Sequence, residues 1–268
     1  MTGFPGANAD RKGAEYVVVG APLDATPSFR PGARFGPDRV RQFARGFEDF
    51  DRETDLHFSD LAVHDAGDVH AWNDPEEYVD HLDSVLREVR PDGGLPLLVG
   101  GEHTVSVAGV RATDPDVFLC LDAHLDLRQD LDSQEWSHAT VARHALETAE
   151  EAILLGARAG SEAEWERAGR ADVTVVPPED VSTWEPTFEG EAYLSVDVDV
   201  ADPGVAPGTG TPEPFGLASE SVRDVVRSVA PRSVGFDVVE VNDRDDGEAA
   251  LLAAKLLRAF VFSHASEE

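Results

Sequence analysis

Cysteine occurs once, at Cys120, which excludes an internal disulfide and a cysteine-built zinc cluster. Its setting, Val117-Phe118-Leu119-Cys120-Leu121, is apolar and supports a buried structural thiol. Lysine is nearly as scarce: Lys12 and Lys255 are the only two, and the other cations are arginines. Positive charge is short overall, with 22 Lys and Arg against 53 Asp and Glu and a formal net charge of −31. Such a surface repels nucleic acid and anionic membranes, so neither is an expected partner. A salt-rich cytoplasm tolerates it, because 1 M salt shortens the Debye length to about 3 Å and screens self-repulsion. A halophilic setting is the expected origin of the acidity, which therefore says little about function. Long apolar runs are also missing. The greasiest segment, Leu251 to Phe262, is broken by Lys255 and Arg258, and no membrane span is expected. Met1 to Gly13 holds no apolar stretch of signal-peptide length, so the expected location is cytoplasmic.

What is present is alternation. Short apolar runs at 16–20, 61–63, 95–99, 117–121, 152–155, 173–176, 193–200 and 234–241 read as strands covered on both faces. Helical patterns at 38–50, 75–90, 104–111, 138–147, 162–168, 220–229 and 247–263 lie between them. Pro75 suits a first helical turn, with Asn73-Asp74 as the cap. Strands alternating with helices imply a largely parallel sheet of about eight strands clothed in helices. Periodicity leaves open whether that sheet is an open three-layer sandwich or a closed barrel. In either, functional residues belong at the carboxyl ends of strands. With no linker or repeat, residues 1–268 read as a single catalytic domain.

Three strand ends carry chemistry. Gly100-Gly101-Glu102-His103 follows the run 95–99, its glycines allowing a sharp turn before His103 opens a helix. Asp122-Ala123-His124-Leu125-Asp126 follows 117–121, and in extended backbone residues i, i+2 and i+4 share a face. Burying two carboxylates together is costly unless a cation compensates them. Asp197-Val198-Asp199 lies within the run 193–200. Asp-x-Asp recurs at 49/51, 114/116, 130/132 and 243/245, so the bare pattern carries nothing in so acidic a chain. Val196, Val198 and Val200 set the 197/199 pair apart, placing two carboxylates on one side of an apolar run.

His103, Asp122, His124, Asp126, Asp197 and Asp199 together supply four carboxylates and two imidazoles. Two divalent cations would neutralise the four aspartates. Oxygen-dominated ligation with some imidazole suits Mn²⁺, with Zn²⁺, Fe²⁺ or Co²⁺ as alternatives. Two such ions activate water as a nucleophile near neutral pH.

These motifs, in this order, resemble the arginase–agmatinase ureohydrolases, most closely the archaeal agmatinases. The likeness covers most of the chain. It includes Pro22-Leu23-Asp24-Ala25-Thr26, the segment Phe29 to Pro37, Ala206-Pro207-Gly208-Thr209-Gly210-Thr211-Pro212, and Asp237-Val238-Val239-Glu240-Val241. The resemblance implies an open α/β/α sandwich and two Mn²⁺ per subunit held by the six residues named. It further implies that Glu240 receives a guanidinium group, that Asp126 takes and returns a proton, and that His138 binds substrate and shuttles protons. The expected substrate is a small cationic guanidino compound, agmatine first, yielding putrescine for polyamine biosynthesis plus urea. Guanidinobutyrate, arginine or another amidino compound is the alternative, and a non-catalytic regulatory or assembly homologue is the alternative of a different class. The family implies a homo-oligomer, trimeric or hexameric. Acidic residues in the segment 127–136 are expected to meet the substrate's free ammonium. Departures from the commoner pattern are Glu102 for Asp, Ala139 for Gly and Phe215 for Gly.

Overall fold

Runs of Val, Leu and Ile become strands buried on both faces, as the composition of the apolar segments requires. A computed structural model describes residues 3–89 and 93–266. Its strands are β1 (Tyr16–Ala21), β2 (Phe50–Asp51), β3 (Leu56–His57), β4 (Val63–Asp68), β5 (Leu95–Gly100), β6 (Val117–Leu121), β7 (Glu151–Leu155), β8 (Val173–Val176), β9 (Ala192–Asp197) and β10 (Ser233–Val239). Its helices are α1 (Gly36–Ala44), α2 (Pro75–Arg87), α3 (Ser106–Thr113), α4 (Val141–Ala145), α5 (Glu162–Ala168), α6 (Pro178–Val181), α7 (Ser219–Val229) and α8 (Glu248–Ala265). Eight strands form one sheet in the order β4-β1-β5-β10-β9-β6-β7-β8. Every adjacent pair runs parallel. Among the described residues β4 and β8 are free edges, so the sheet is open and the barrel is excluded.

Side-chain alternation along each strand divides the core in two. Val18, Leu97, Leu119 and Val196 face one side, packed on α1, α7 and α8. Val17, Leu98, Phe118 and Tyr193 face the other, packed on α2, α3 and α4. The result is the expected three-layer α/β/α sandwich. Burying each such aliphatic side chain contributes about 1.5–3 kcal/mol. The cap on α2 also forms as expected, with Asp74 accepting from the Glu77 amide at 3.0 Å. None of the described helices is long and apolar enough to cross a membrane.

Several element bounds differ from the sequence reading. The run 61–63 is not itself the strand: β4 begins at Val63 and continues through the polar residues to Asp68. An edge strand needs no apolar run, and its Asp65 and Asp68 instead ion-pair with buried Arg41 of α1. The run 193–200 ends as strand at Asp197, and Val198–Val200 forms a 3-10 turn. The pattern 38–50 stops as helix at Ala44. The pattern 138–147 splits into a 3-10 turn, His138–Thr140, and the short α4. The expected end of the second helix at Arg90 lies outside the described residues. The β2–β3 hairpin and α6 are too short for periodicity to reveal.

Candidate metal centre

β5, β10, β9 and β6 are consecutive neighbours in the middle of the sheet. All are parallel, so the residues after them meet at one edge, where open α/β sheets form their sites. After β5, the Gly101 amide bonds the Ala21 carbonyl and the Glu102 amide the Leu23 carbonyl, both at 2.8 Å. A Cβ on Gly101 would collide with the Leu23 backbone, so glycine is required there. His103 then enters the buried 3-10 turn His103–Val105.

After β6 the chain bends at Ala123, His124 pairs again in a parallel bridge with Ala159, and the extended i, i+2, i+4 pattern breaks at Asp126. Asp122 Oδ1 accepts from the His124 amide at 2.7 Å, and Asp126 adopts the left-handed region with φ 51°. The β run framing Asp197 and Asp199 is corrected likewise. Asp197 is the last strand residue, and its Oδ1 accepts from the Asp199 amide at 2.8 Å across the turn. Val196, Val198 and Val200 nevertheless fall into one core cluster, which leaves both carboxylates facing away from it.

These turns bring all six residues together. His103 Nδ1 lies 3.1 Å from Asp122 Oδ2, 3.0 Å from Asp126 Oδ2 and 3.7 Å from Asp197 Oδ2. His124 Nδ1 lies 3.0 Å from Asp199 Oδ2 and 3.5 Å from Asp122 Oδ1. Asp122 thus offers one oxygen to each half of the cluster. All but His124 are buried.

Behind the ring, His103 Nε2 is 3.1 Å from Ser195 Oγ, which donates to Asp237 Oδ1 at 2.6 Å. Tyr193 donates to the other Asp237 oxygen at 2.8 Å. With the Ser195 proton committed to Asp237, Nε2 carries an imidazole proton, which leaves Nδ1 to offer its lone pair to a cation. That lone pair faces carboxylate oxygens, and Nδ1 is buried without a hydrogen-bond partner. Lone pairs of nitrogen and oxygen converge only on a cation, so the donor set fits metal ions. Cys120 Sγ lies 3.7 Å from Nε2, on the ring's far side, and burial pushes its thiol up.

The electrostatics lead to the same demand for positive charge. Burial and the Asp122 charge push Asp126 up to about 7, against the pull of His103. Burial, Asp199 and Asp122 raise Asp197 well above the carboxylate range. Burial opposes charge on His103, yet Cys120, Asp122 and Asp126 raise it well above its ordinary value. His103 and His124 in turn hold Asp122 below its own against its burial, so without a cation the imidazoles themselves supply the positive charge. Burial opposes charge on His124, but Asp199 and Asp122 push it up to about 12.

Glu240, with φ 62°, turns its carboxylate back so that Oε1 accepts from the His103 amide at 2.8 Å. Burial pushes it up to about 8, the His103 amide opposing and the Glu102 charge assisting. His138 Nδ1 is 3.2 Å from Thr26 Oγ1 and its Nε2 is 3.2 Å from Ser28 Oγ. Burial and the charges of His103 and His124 lower it to about 4. Glu102 accepts from the amides of Ala25 and Thr26 at 2.6 and 2.7 Å and from the hydroxyls of Thr26 and Thr104 at 2.9 and 2.8 Å. It therefore fixes the loop that carries the His138 partners.

Two adjoining compartments open beside the centre. Glu240 and Gly210 line the inner one, and Asp126, His124 and Glu213 line an outer cleft of about 360 Å³. Ser28, His138 and Thr211 form walls of both. A larger groove of about 550 Å³, between α7, α8 and β2, has no histidine in its lining. Asp130, Asp132 and Glu135 are exposed and do not line the cleft, against the expectation placed on segment 127–136. Sequence reasoning gave no role to Ser195, nor to Thr26 and Asp237, although the last two lie within the family-like motifs. For Ser195 a signal was present, since Tyr193, Ser195 and Asp197 alternate along one strand.

The arginase family profile matches residues 14–263. An agmatinase of Pyrococcus horikoshii is 34% identical over 92% of this chain and 91% of its own length. The N(1)-aminopropylagmatine ureohydrolase of Thermococcus kodakarensis is also 34% identical, over 91% of this chain and 88% of its own. The crystal structure of an agmatine ureohydrolase from Thermoplasma volcanium superimposes with a TM-score of 0.93 and 33% identity, covering 99% of this chain and 95% of that one.

Proposed function

The chain belongs to the arginase family, and from that premise we propose that it hydrolyses agmatine to putrescine and urea with two Mn²⁺ ions. The observation that carries the reading is the buried His103 Nδ1, aimed at the carboxylates of Asp122 and Asp126 with no hydrogen-bond partner of its own. The likeness to the Pyrococcus and Thermoplasma proteins supports agmatine as the substrate. In this reading His103, Asp122, His124, Asp126, Asp197 and Asp199 hold the metal pair, residues 1–268 work as one catalytic domain, and the enzyme is a cytoplasmic homo-oligomer of a halophile.

When bound, the divalent pair activates a water as nucleophile near neutral pH. Glu240 receives the planar guanidinium: Oε1 is held by the His103 amide, and Oε2 faces the inner compartment beside Gly210. A guanidinium there reverses the cost of ionising that buried carboxylate. Asp126 lines the outer cleft beside the centre, placed to take the proton of the attacking water and pass it to the leaving nitrogen. A carbon–oxygen bond forms and one guanidinium C–N bond breaks. Urea and the amine depart, the amine carrying the transferred proton. His138, set between Thr26 and Ser28 and walling both compartments, is placed to pass protons between the site and solvent.

A second reading has one observation behind it, the equal 34% identity to the Thermococcus protein. N(1)-aminopropylagmatine carries the same guanidinium on a longer polyamine. A urea-release panel in high salt with added Mn²⁺ separates the readings. Agmatine is expected to turn over at least about tenfold faster than arginine, the ratio a single charge-assisted contact can supply. Preference for arginine or guanidinobutyrate overturns the substrate assignment, and preference for the aminopropyl derivative selects the second reading. No urea from any of them overturns the activity itself.

A further inference from the structure

Three carboxylates line the outer cleft, and their engagements differ. Asp126 faces His103 in the centre. Glu164 is occupied, accepting from the Ser161 amide at 2.8 Å and hydroxyl at 2.7 Å and pairing with Arg128 at 3.2 Å. Glu213, half-buried, makes no side-chain hydrogen bond or ion pair among the described residues.

Its backbone is held firmly. Arg158 donates to the carbonyls of Glu213 at 2.8 Å and Pro214 at 3.0 Å. The same guanidinium reaches the carbonyls of Asp199 at 2.9 Å and Val200 at 3.2 Å, so it ties this loop to the turn carrying Asp197 and Asp199. On the other side, Asp202 accepts from the amides of Phe215 at 3.1 Å and Gly216 at 3.3 Å. A pinned backbone with an unengaged carboxylate is a preorganised acceptor, since little further ordering is needed on binding.

Its place along the loop matches a substrate with two cationic ends. Gly210 abuts Glu240: a Cβ there would lie 3.2 Å from Oε2. Thr211 walls both compartments, and Glu213 follows in the outer one. Three residues of chain span at most about 10 Å, the scale of a short diamine. We propose that Glu213 receives the substrate's distal ammonium and sets this site for amine-tailed over neutral or carboxylate-tailed guanidino compounds. The inference rests on the guanidino-hydrolase reading above. Arg128 in the same cleft would attract a carboxylate tail, but its charge is countered by Glu164, whereas Glu213 has no such partner.

The test compares wild type and Glu213→Gln, each loaded with Mn²⁺ at matched salt, on agmatine, butylguanidine and 4-guanidinobutyrate. Butylguanidine has the same four-carbon tail without the ammonium. In Glu213→Gln the preference for agmatine over butylguanidine is expected to fall roughly tenfold or more, through KM rather than kcat, as for loss of one charge-assisted contact. The relative rate on 4-guanidinobutyrate should rise, and Glu213→Asp should restore part of the preference. An unchanged agmatine-to-butylguanidine ratio overturns the inference while leaving the hydrolase reading intact. Urea from none of the three with wild type overturns that reading and this one together. Product inhibition of wild type serves if the variant fails to fold: putrescine should inhibit at least about tenfold more tightly than butylamine, and equal inhibition overturns the proposal.

Discussion

Glu240 Oε1 accepts a hydrogen bond from the backbone amide of His103 at 2.8 Å, coupling the end of β10 to the end of β5. The carboxylate proposed to hold the guanidinium is thus positioned by the turn that presents the first imidazole of the centre. Glu240→Gln keeps an oxygen for that amide and removes only the charge. It is expected to lower kcat/KM for agmatine by about 30-fold or more, the cost of leaving a buried cation without its counter-charge. Metal content should match wild type. A Gln variant with wild-type kcat/KM would remove Glu240 from substrate binding.

Asp126 is the carboxylate common to the cluster and the open cleft, 3.0 Å from His103 Nδ1 and lining the outer compartment. Asp126→Asn removes both a ligand charge and the proton acceptor. Turnover should drop at least about 100-fold, within the range for loss of a general base, and Mn²⁺ should bind more weakly. Rate and metal stoichiometry measured on one preparation check both. Full activity in this variant would sink the two-metal mechanism.

Much of this site was legible in the sequence because chemistry after a strand is local. Gly100 to His103, Asp122 to Asp126 and Asp197 to Asp199 each follow an apolar run, and parallel strands bring such ends to one edge. The turn geometry was not legible: Asp126 at φ 51° and Asp197 capping the Asp199 amide are choices the backbone makes on leaving the sheet. Contacts across strands were hidden too. Ser195 and Asp237 are direct register partners of β9 and β10, and one sequence does not say which strands are neighbours. The polar edge strand β4 was missed for a related reason, since Asp65 and Asp68 are explained only by Arg41 from another element. Acidity also misdirected the substrate-tail expectation toward residues 130–135, while the unengaged carboxylate in the cleft belongs to Glu213.

The chain from His103 through Ser195 to Asp237 and Tyr193 gives a prediction about metal affinity rather than chemistry. Asp237 is fully buried and touches no position where substrate or metal would lie, so it is a positioning residue. Asp237→Asn weakens its grip on the Ser195 proton and lets the His103 tautomer slip. Mn²⁺ affinity is expected to fall about 10- to 100-fold, the usual cost of losing support behind a ligating imidazole. At saturating Mn²⁺ most activity should return. Unchanged affinity in a Mn²⁺ titration, with Tm also unchanged, would show that the tautomer is fixed without Asp237.

The buried ion pair between α1 and the edge strand β4 predicts an acid limit on stability. Arg41 donates to Asp65 through Nε at 2.8 Å and Nη2 at 2.9 Å, and to Asp68 through Nη1 at 2.6 Å. Burial alone would raise the Asp65 carboxyl. The Arg41 hydrogen bonds and charge, with the amides of Gly67 and Phe4, outweigh it and hold the group below its ordinary value of 3.8. A carboxyl whose pKa falls on folding contributes stability that is fully present above its unfolded value and is lost as pH drops through the folded one. Asp65→Asn should therefore destabilise the protein by about 3–5 kcal/mol near neutral pH, because it leaves Arg41 underpaired in the core. The gap between wild type and variant should hold steady above pH 5, then narrow as pH falls below 3.8. Using the difference cancels the relief of self-repulsion that acid brings to a chain of net charge −31. Denaturant unfolding of both proteins across this range is the measurement. A gap independent of pH down to complete acid unfolding would mean that Asp65 is not the titrating partner of Arg41.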